Sequence, residues 1–236
     1  MNSYQLKRLL LDIVYPNRCP FCNAAIRYDK YYCASNPKCA FSAGDLSMLQ
    51  ERGLIEPIAN ITEAFAVFAY DKSTMPFVYR IKDDTCDYVS SAAAKLISER
   101  IEDLIPALDL ITCVPTDKVK LGQRGCNPPA LIALRVSAII GVPCNVRLLR
   151  KTRITKDQKG LSAKQRVENL KGAFAVNLHK GKPLPPTMLL IDDVCTTGAT
   201  LSETAGVLLA GGAKRVYAAV VASTVKNSMS SDVPCR

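Results

Sequence analysis

The chain has 236 residues, of which 48% are hydrophobic and 22% charged, and it carries a net charge of +10. This length and composition suit one medium domain, with or without a small appendage, and exclude intrinsic disorder and fibrous repeats. Because apolar runs stay shorter than the ~18 residues of a membrane span, and the first residues lack a signal-peptide pattern, we expect a soluble, cytoplasmic protein without membrane insertion.

The first predicted element is a short amphipathic helix over residues 3–13, and a cluster of four cysteines follows it. The four form a C-x2-C pair and a looser C-x5-C pair, namely Cys19, Cys22, Cys33 and Cys39. Four thiolates bind Zn²⁺ tetrahedrally, and a closed shell of this kind is structural rather than catalytic. The spacing therefore predicts a structural zinc ribbon, with a redox C-x-x-C pair as the alternative.

Strand and helix signals alternate from Phe65 onward, and this alternation predicts a parallel sheet because parallel neighbours need crossover connections. The predicted strands cover residues 66–70, 110–114, 145–149, 187–191 and 216–222, and the predicted helices cover 90–105, 128–140 and 200–210. We therefore divide the chain into an N-terminal helix and zinc-ribbon module (1–62), an α/β domain (63–226) and a flexible tail (227–236).

Positive charge concentrates between Arg147 and Lys182, where eleven Lys and Arg stand against two acids and give the stretch a net charge of +9. Such a concentration favours an anionic partner, either a phosphate ligand or nucleic acid. Phe174 is the one aromatic residue of the stretch, so little surface for base stacking is available, and nucleic acid would be bound through its phosphates. A solvated basic loop is the third interpretation.

The sharpest motif is Met-Leu-Leu-Ile-Asp-Asp-Val-Cys-Thr-Thr-Gly-Ala-Thr over residues 188–200. It predicts a buried strand ending in two carboxylates, then a Thr/Gly loop and a helix, whose N–H groups and dipole favour an anion. Adjacent carboxylates beside a phosphate are unfavourable unless they bind sugar hydroxyls or lie near Mg²⁺, and a phosphorylated ribose meets both conditions. The motif lacks the lysine of a P-loop, and an ordinary strand-to-helix turn is the alternative.

This string resembles the motif with which type I phosphoribosyltransferases bind 5-phosphoribosyl-1-pyrophosphate (PRPP). The resemblance implies that Asp192 and Asp193 hold the ribose 2′- and 3′-hydroxyls and that Mg²⁺ accompanies PRPP. It also implies that the loop wraps the 5′-phosphate, through Thr196, Thr197, Gly198, Ala199 and Thr200.

Three features narrow the resemblance to the ComF family, phosphoribosyltransferase-like proteins with an N-terminal zinc ribbon. They are Val114-Pro115 followed by Arg124-Gly125-Cys126-Asn127, the pattern T-x-x-Q-x-x-L-S, R-x-x-N and G-A-F over residues 155–174, and the four-cysteine cluster. The family usually shows Phe and then Asn-Gln after Arg-Gly, whereas this chain has Cys126-Asn127-Pro128. The resemblance implies a type I phosphoribosyltransferase-like α/β fold, a parallel sheet flanked by helices. It also implies a role in the uptake of transforming DNA, acting on single-stranded DNA with a competence helicase and DNA-processing proteins.

The resemblance further assigns pyrophosphate contacts and a closing loop. The turn through Thr116 and Lys118 falls where related enzymes bind pyrophosphate, and Lys118 and Arg124 are the candidate cations, with a surface turn as the alternative. In phosphoribosyltransferases a mobile loop often closes over PRPP in the part of the chain that is basic here. Gln158 and Arg166 would then be polar contacts of that loop.

Two functions of different kinds agree with these features. One is an enzyme that transfers the phosphoribosyl group of PRPP, and the other is a weakly catalytic or non-catalytic factor in DNA handling. Cys195 stands where hypoxanthine-type enzymes carry an acidic residue that works on the purine base. A thiol is a poor substitute at neutral pH, so we do not expect hypoxanthine or guanine salvage. The acceptor, the catalytic residues and the oligomeric state are not indicated.

Overall fold

A computed structural model describes most of the chain after Tyr15, namely residues 16–27, 30–33, 39, 55–83, 87–101, 108–117, 119, 121–122, 125–155, 162–177 and 183–224. Its strands are β1 (Asn17–Arg18), β2 (Ala25–Ile26), β3 (Ala64–Ala69), β4 (Leu110–Cys113), β5 (Leu149–Lys151), β6 (Phe174–Val176), β7 (Thr187–Cys195) and β8 (Arg215–Ser223). Its helices are α1 (Met75–Asp83), α2 (Asp87–Ile101), α3 (Pro128–Ile140), α4 (Ala163–Leu170) and α5 (Ala199–Ala210). The predicted helix over 3–13 and the predicted tail lie outside the described residues.

The centre of the fold is a four-stranded parallel sheet in the order β3-β8-β7-β4. Alternate residues of each strand face opposite sides, and one side packs on α1, α2 and α3 while the other packs on α5. Since both faces are covered, β7 and β8 are buried along almost their whole length. The predicted α/β class, with a parallel sheet flanked by helices, is confirmed.

Helix α3 keeps its predicted bounds because its two ends carry strong signals. Pro128 and Pro129 occupy the first turn, where a missing N–H breaks no hydrogen bond. Gly141 ends the helix in the left-handed conformation, with φ 75°, and donates its N–H to the carbonyl of Ser137.

The predicted strand over 145–149 is wrong. Cys144 makes a single parallel bridge to Ile111, and the chain then turns, because the Asn145 side chain accepts the N–H of Arg147 at 3.0 Å. The strand starts at Leu149 instead, and β5 pairs antiparallel with β6 as a separate two-stranded sheet.

Two further differences concern the surroundings of the phosphate motif. Strand β7 continues four residues beyond its predicted end, pairing with β8 as far as Cys195 and Ser223, so the two carboxylates lie inside the strand. Part of the basic stretch is helix α4 rather than loop, because Ser162 and Gln165 form a reciprocal capping box at its start.

The four-cysteine module packs against the α/β domain through an aromatic cluster. The Phe21 ring lies 5.1 Å from the Phe77 ring of α1 and 5.6 Å from the Phe68 ring of β3. Arg80 of α1 also donates a 2.7 Å hydrogen bond to the carbonyl of Cys19. Helix α1 therefore holds the module by an apolar and a polar contact.

Candidate functional site

The predicted phosphate motif lies where strand β7 leads into helix α5. Asp192 and Asp193 belong to the last part of β7, residues 196–198 form the turn, and α5 begins at Ala199. In open α/β sheets, ligands bind at the carboxyl edge of the strands. The N–H groups and the dipole of a helix start at that edge favour a bound anion. The structure thus brings the predicted strand, carboxylates, loop and helix together.

Gly198 shapes the turn by its conformation and by its close contact with Ile58. Its φ is +72°, a left-handed backbone that side chains disfavour. A Cβ atom at this position would lie 3.0 Å from Cδ1 and Cγ1 of Ile58. The preceding Thr196 is half-buried and Thr197 is exposed, while Ala199 is buried and Thr200 half-buried in the first turn of α5.

Two adjacent carboxylates precede the turn in different surroundings. Asp192 is 7% exposed, and its Oδ1 accepts the N–H of Asp193 at 2.8 Å. Burial, together with the charge of Asp193, raises the pKa of Asp192 well above its ordinary value. Asp193 is half-buried, and its Oδ1 accepts the N–H of Val194 at 2.7 Å. Carboxylate oxygens in this position can accept hydrogen bonds from sugar hydroxyls or bind a hard cation.

Lys82 is a site residue that the sequence did not reveal. Its Nζ atom, from the last turn of α1, lies 3.5 Å from Oδ2 of Asp193. Its charge also opposes the rise in the pKa of Asp192. Nothing in the linear pattern distinguishes this lysine from the others, because it meets the carboxylates only through the packing of α1 against the sheet.

Arg166 contacts the turn between β7 and α5 directly. Its Nη1 atom donates a 2.8 Å hydrogen bond to Oγ1 of Thr196. Helix α4 carries this arginine, and the turn after α4 is tied to α5 because Glu203 accepts the N–H of Gly172 at 2.7 Å. The sequence predicts Arg166 among contacts of a closing loop near pyrophosphate, whereas the structure puts its guanidinium at the turn between β7 and α5.

The turn after β4 lies at the same edge, since β4 is the neighbour of β7. Thr116 donates its hydroxyl to Oδ1 of Asn127 at 2.5 Å, and Asn127 donates from Nδ2 to the carbonyl of Val114 at 3.3 Å. Asn127 thus closes the turn, and it stands between Cys126 and Pro128, the two positions at which the chain departs from the family pattern. The other proposed contacts, Lys118, Arg124 and Gln158, lie outside the described residues.

Lys151 joins the basic stretch to this turn. Its Nζ atom lies 3.8 Å from Oδ2 of Asp117, 3.2 Å from Oγ1 of Thr155 and 5.9 Å from the ring centroid of Phe174. Arg153 likewise donates to two carbonyls at the end of α4, that of Asn169 in its last turn and that of Lys171 just after it. These two cations therefore support the fold near the site.

Cys195 is unsuited to acid–base chemistry at neutral pH. The side chain is buried, and burial raises its pKa to about 11 despite a hydrogen bond with Ser223. The thiol is therefore neutral. This environment agrees with the expectation that the position does not work on a purine base.

The four predicted metal ligands come together in the N-terminal module. Their Sγ atoms all lie within 4.8 Å of one another, at 3.7 Å for Cys19 and Cys39 and 3.4 Å for Cys22 and Cys33. A tetrahedron with Zn–S bonds of ~2.3 Å has S–S edges of roughly 3.8 Å, whereas a disulfide measures about 2.05 Å. The cluster therefore fits a tetrahedral metal ion.

The local backbone of the C-x2-C pair agrees with this interpretation. It lies in a tight turn between β1 and β2, where Cys19 donates its N–H to Ala24 and Asn23 donates to Cys19. A redox pair normally opens a helix after a strand, and the described residues of this module form no such helix.

The chain is similar in sequence to proteins named for DNA utilization and for competence. It is 29% identical over 217 residues to the DNA utilization protein YhgH of Salmonella typhi, covering 89% of this chain and 92% of that protein. It is 28% identical over 144 residues to Competence protein F of Haemophilus influenzae, covering 59% and 63%. It is 26% identical over 153 residues to Competence protein ComFC of Streptococcus pneumoniae, covering 64% of each. No protein-family model matches the chain.

Among solved structures, the chain is similar to two phosphoribosyltransferases at low identity. Adenine phosphoribosyltransferase from Trypanosoma brucei matches 78% of this chain and 92% of that protein, with 13% identity and a TM-score of 0.41. Orotate phosphoribosyltransferase from Aeropyrum pernix matches 70% and 71%, with 17% identity and a TM-score of 0.38. None of the described helices has the length and hydropathy that a membrane crossing requires.

Proposed function

We propose, for a chain that belongs to the ComF family, that its α/β domain binds PRPP with Mg²⁺ and that this binding serves the handling of DNA during natural transformation. One observation carries the proposal. The turn between β7 and α5 has the acidic pair beneath it and the Arg166 guanidinium on its Thr196 hydroxyl. Groups suited to a phosphate thus lie next to groups suited to a ribose.

The 5′-phosphate would lie in the turn. Gly198 keeps the backbone in the left-handed conformation without a Cβ atom, so that the N–H groups of the turn and of α5 can surround an oxyanion. Arg166 adds a guanidinium, the cation best matched to phosphate oxygens.

The ribose would lie over the acidic pair. Asp193 is the more accessible carboxylate and would accept a hydrogen bond from a ribose hydroxyl, with Asp192 beneath it. The same oxygens are the donors that Mg²⁺ prefers, and Mg²⁺ bound with PRPP would neutralise charge on the pyrophosphate. The chain's own residues bind and orient PRPP in this proposal.

Calorimetry with PRPP and Mg²⁺ tests the binding site. We expect heat of binding for the wild type and its loss when Asp192→Asn and Asp193→Asn are combined. Arg166→Gln should weaken binding by roughly tenfold or more, because a charged hydrogen bond is worth about 1.5–3 kcal/mol. Lys164→Gln, on the exposed side of the same helix, is the matched control and should bind as the wild type does. A wild type without heat of binding would remove the proposal.

A structural zinc ion is the second cofactor that we propose, held by the four clustered thiolates. A module with so little core depends on its metal for folding. The ion would hold the turn that carries Phe21, and through Phe21 the module's contact with the aromatic cluster.

The relatives' names, DNA utilization protein and competence protein, support a role with DNA. We propose that the basic stretch contacts the phosphates of single-stranded DNA. A competence helicase and other DNA-processing proteins would act with the chain on that DNA. Arg150 and Lys164 are exposed there, whereas Lys151 and Arg153 support the fold. Arg150→Gln with Lys164→Gln should flatten the dependence of log affinity on log salt by about 1.4, at ~0.7 per phosphate.

The same double variant separates the two anionic ligands. We expect its PRPP affinity to equal that of the wild type, because neither residue contacts the phosphate turn in the proposal. An unchanged salt slope would show that this part of the stretch is a solvated surface. Phosphoribosyl transfer in nucleotide metabolism, other than to hypoxanthine or guanine, is the alternative function. Release of pyrophosphate from PRPP on addition of a nucleobase would reveal that function.

A further inference from the structure

Helix α1 lies between the four-cysteine module and the acidic pair, and it contacts both. Phe77 and Arg80 hold the module through the Phe21 ring and the Cys19 carbonyl, at 5.1 Å and 2.7 Å. Lys82, at the end of the same nine-residue helix, lies 3.5 Å from the carboxylate of Asp193. A helix is stiff over so short a length, so the two contacts are mechanically linked.

The acidic pair needs a cation because two adjacent carboxylates repel each other. Asp192 is buried under the strand edge and Asp193 is next to it in sequence. The ammonium of Lys82 is partly buried beside this pair, with 29% of its side chain exposed against 17% for Asp193. An ion pair that is shielded from solvent on one side fixes the orientation of both groups better than an exposed pair does.

We propose that Lys82 is a positioning residue, which holds the Asp193 carboxylate in place for the ribose of PRPP, and that the four-cysteine module sets the place of Lys82 through α1. The inference rests on the proposed function. Lys82 acts through Asp193, and the module acts through Arg80 and Phe77 on the position of the helix. The ligand concerned is the hydroxyl-bearing part of PRPP, while its 5′-phosphate is bound elsewhere, in the turn after β7.

A double-mutant cycle with PRPP and Mg²⁺ tests the first part. Lys82→Met should weaken PRPP binding about tenfold, and Lys82→Arg should keep most of the affinity because it retains the charge. In an Asp193→Asn background, Lys82→Met should have little further effect, since the group it positions is gone. Additive effects would overturn the inference, because Lys82 would then act independently of Asp193.

Unfolding of the ligand-free variants tests the contact without PRPP. Lys82→Met should lower the urea midpoint in the wild-type background and should lower it less when Asp193→Asn is present. Equal shifts of the urea midpoint in the two backgrounds would show that Lys82 does not stabilise the protein through Asp193. A wild type that gives no heat with PRPP would remove the proposed function and this role of Lys82 together. If the wild type binds PRPP and Lys82→Met binds it equally tightly, only the inference about Lys82 is overturned.

The second part is tested from the module's side. Arg80→Gln removes the hydrogen bond to Cys19 and leaves the four thiols intact, so zinc content measured by elemental analysis should stay at the wild-type level. We expect weaker PRPP binding in this variant, by severalfold, and no such loss when Lys82→Met is already present. Unchanged PRPP affinity in Arg80→Gln, or an equal loss in both backgrounds, would overturn the link between the module and the site.

Discussion

Replacing Gly198 by alanine tests the shape of the turn between β7 and α5. Alanine in the left-handed conformation costs about 1–2 kcal/mol, and Gly198 has a φ of +72°. The new Cβ atom would also lie 3.0 Å from two carbons of Ile58, and overpacking of this kind typically costs about 1–3 kcal/mol. Gly198→Ala should therefore lower the free energy of unfolding by roughly 2–5 kcal/mol.

Gly141 provides the matched control. It has almost the same φ, +75°, but no atom lies within 4 Å of the position of its Cβ. Gly141→Ala should therefore show the backbone cost of about 1–2 kcal/mol alone. Urea unfolding measures both variants, and constant m-values would show that the midpoint shifts report stability.

The steric part of the effect can be isolated with Ile58. Ile58→Ala removes the three side-chain carbons that crowd the new Cβ atom. In that background, Gly198→Ala should cost no more than Gly141→Ala does. If Gly198→Ala is as mild as Gly141→Ala in the wild-type background, the close contact between Ile58 and the turn is refuted.

Three further predictions concern the metal and the titratable groups. The purified protein should contain about one zinc per chain, by the four-ligand rule, and Cys33→Ser should lose the metal and melt at a lower temperature, as elemental analysis and calorimetry would show. Folding raises the pKa of Asp192, so ionisation of this group makes the wild type less stable as pH rises above about 4. An asparagine cannot ionise, and Asp192→Asn should therefore be more stable than the wild type at neutral pH when no ligand is bound. The advantage should vanish below that pH, and an Asn variant that is less stable at pH 7 would contradict this. Burial raises the pKa of Cys113 to about 12 and that of Cys195 to about 11, so neither thiol should react with a thiol reagent at pH 8 before unfolding.

The parallel sheet and the strand, turn and helix over residues 188–200 could be predicted because their signals are local. Helix α3 is marked at both ends by proline and glycine, and the motif over 188–200 contains the strand, the carboxylates and the turn in one run. The four cysteines could also be grouped, since thiolates at such spacings have few other uses.

The contacts that complete the site could not be predicted because they depend on packing. Lys82 reaches Asp193 from a helix more than 100 residues earlier in the chain, and Ile58 reaches Gly198 from an irregular segment. The end of β7 could not be predicted either. Two adjacent carboxylates indicate the end of a buried strand, but pairing with β8 continues β7 past them to Cys195. Arg166 could be chosen from the family pattern, but only the position of α4 brings it to Thr196.

A crystal structure of the protein with PRPP and Mg²⁺ tests the central proposal most directly. We predict the 5′-phosphate within hydrogen-bonding distance of the N–H groups of residues 197–200 and of the Arg166 guanidinium, and the ribose hydroxyls on the carboxylates of Asp192 and Asp193. PRPP bound elsewhere, or an empty turn in a crystal grown with millimolar PRPP and Mg²⁺, would contradict the proposal.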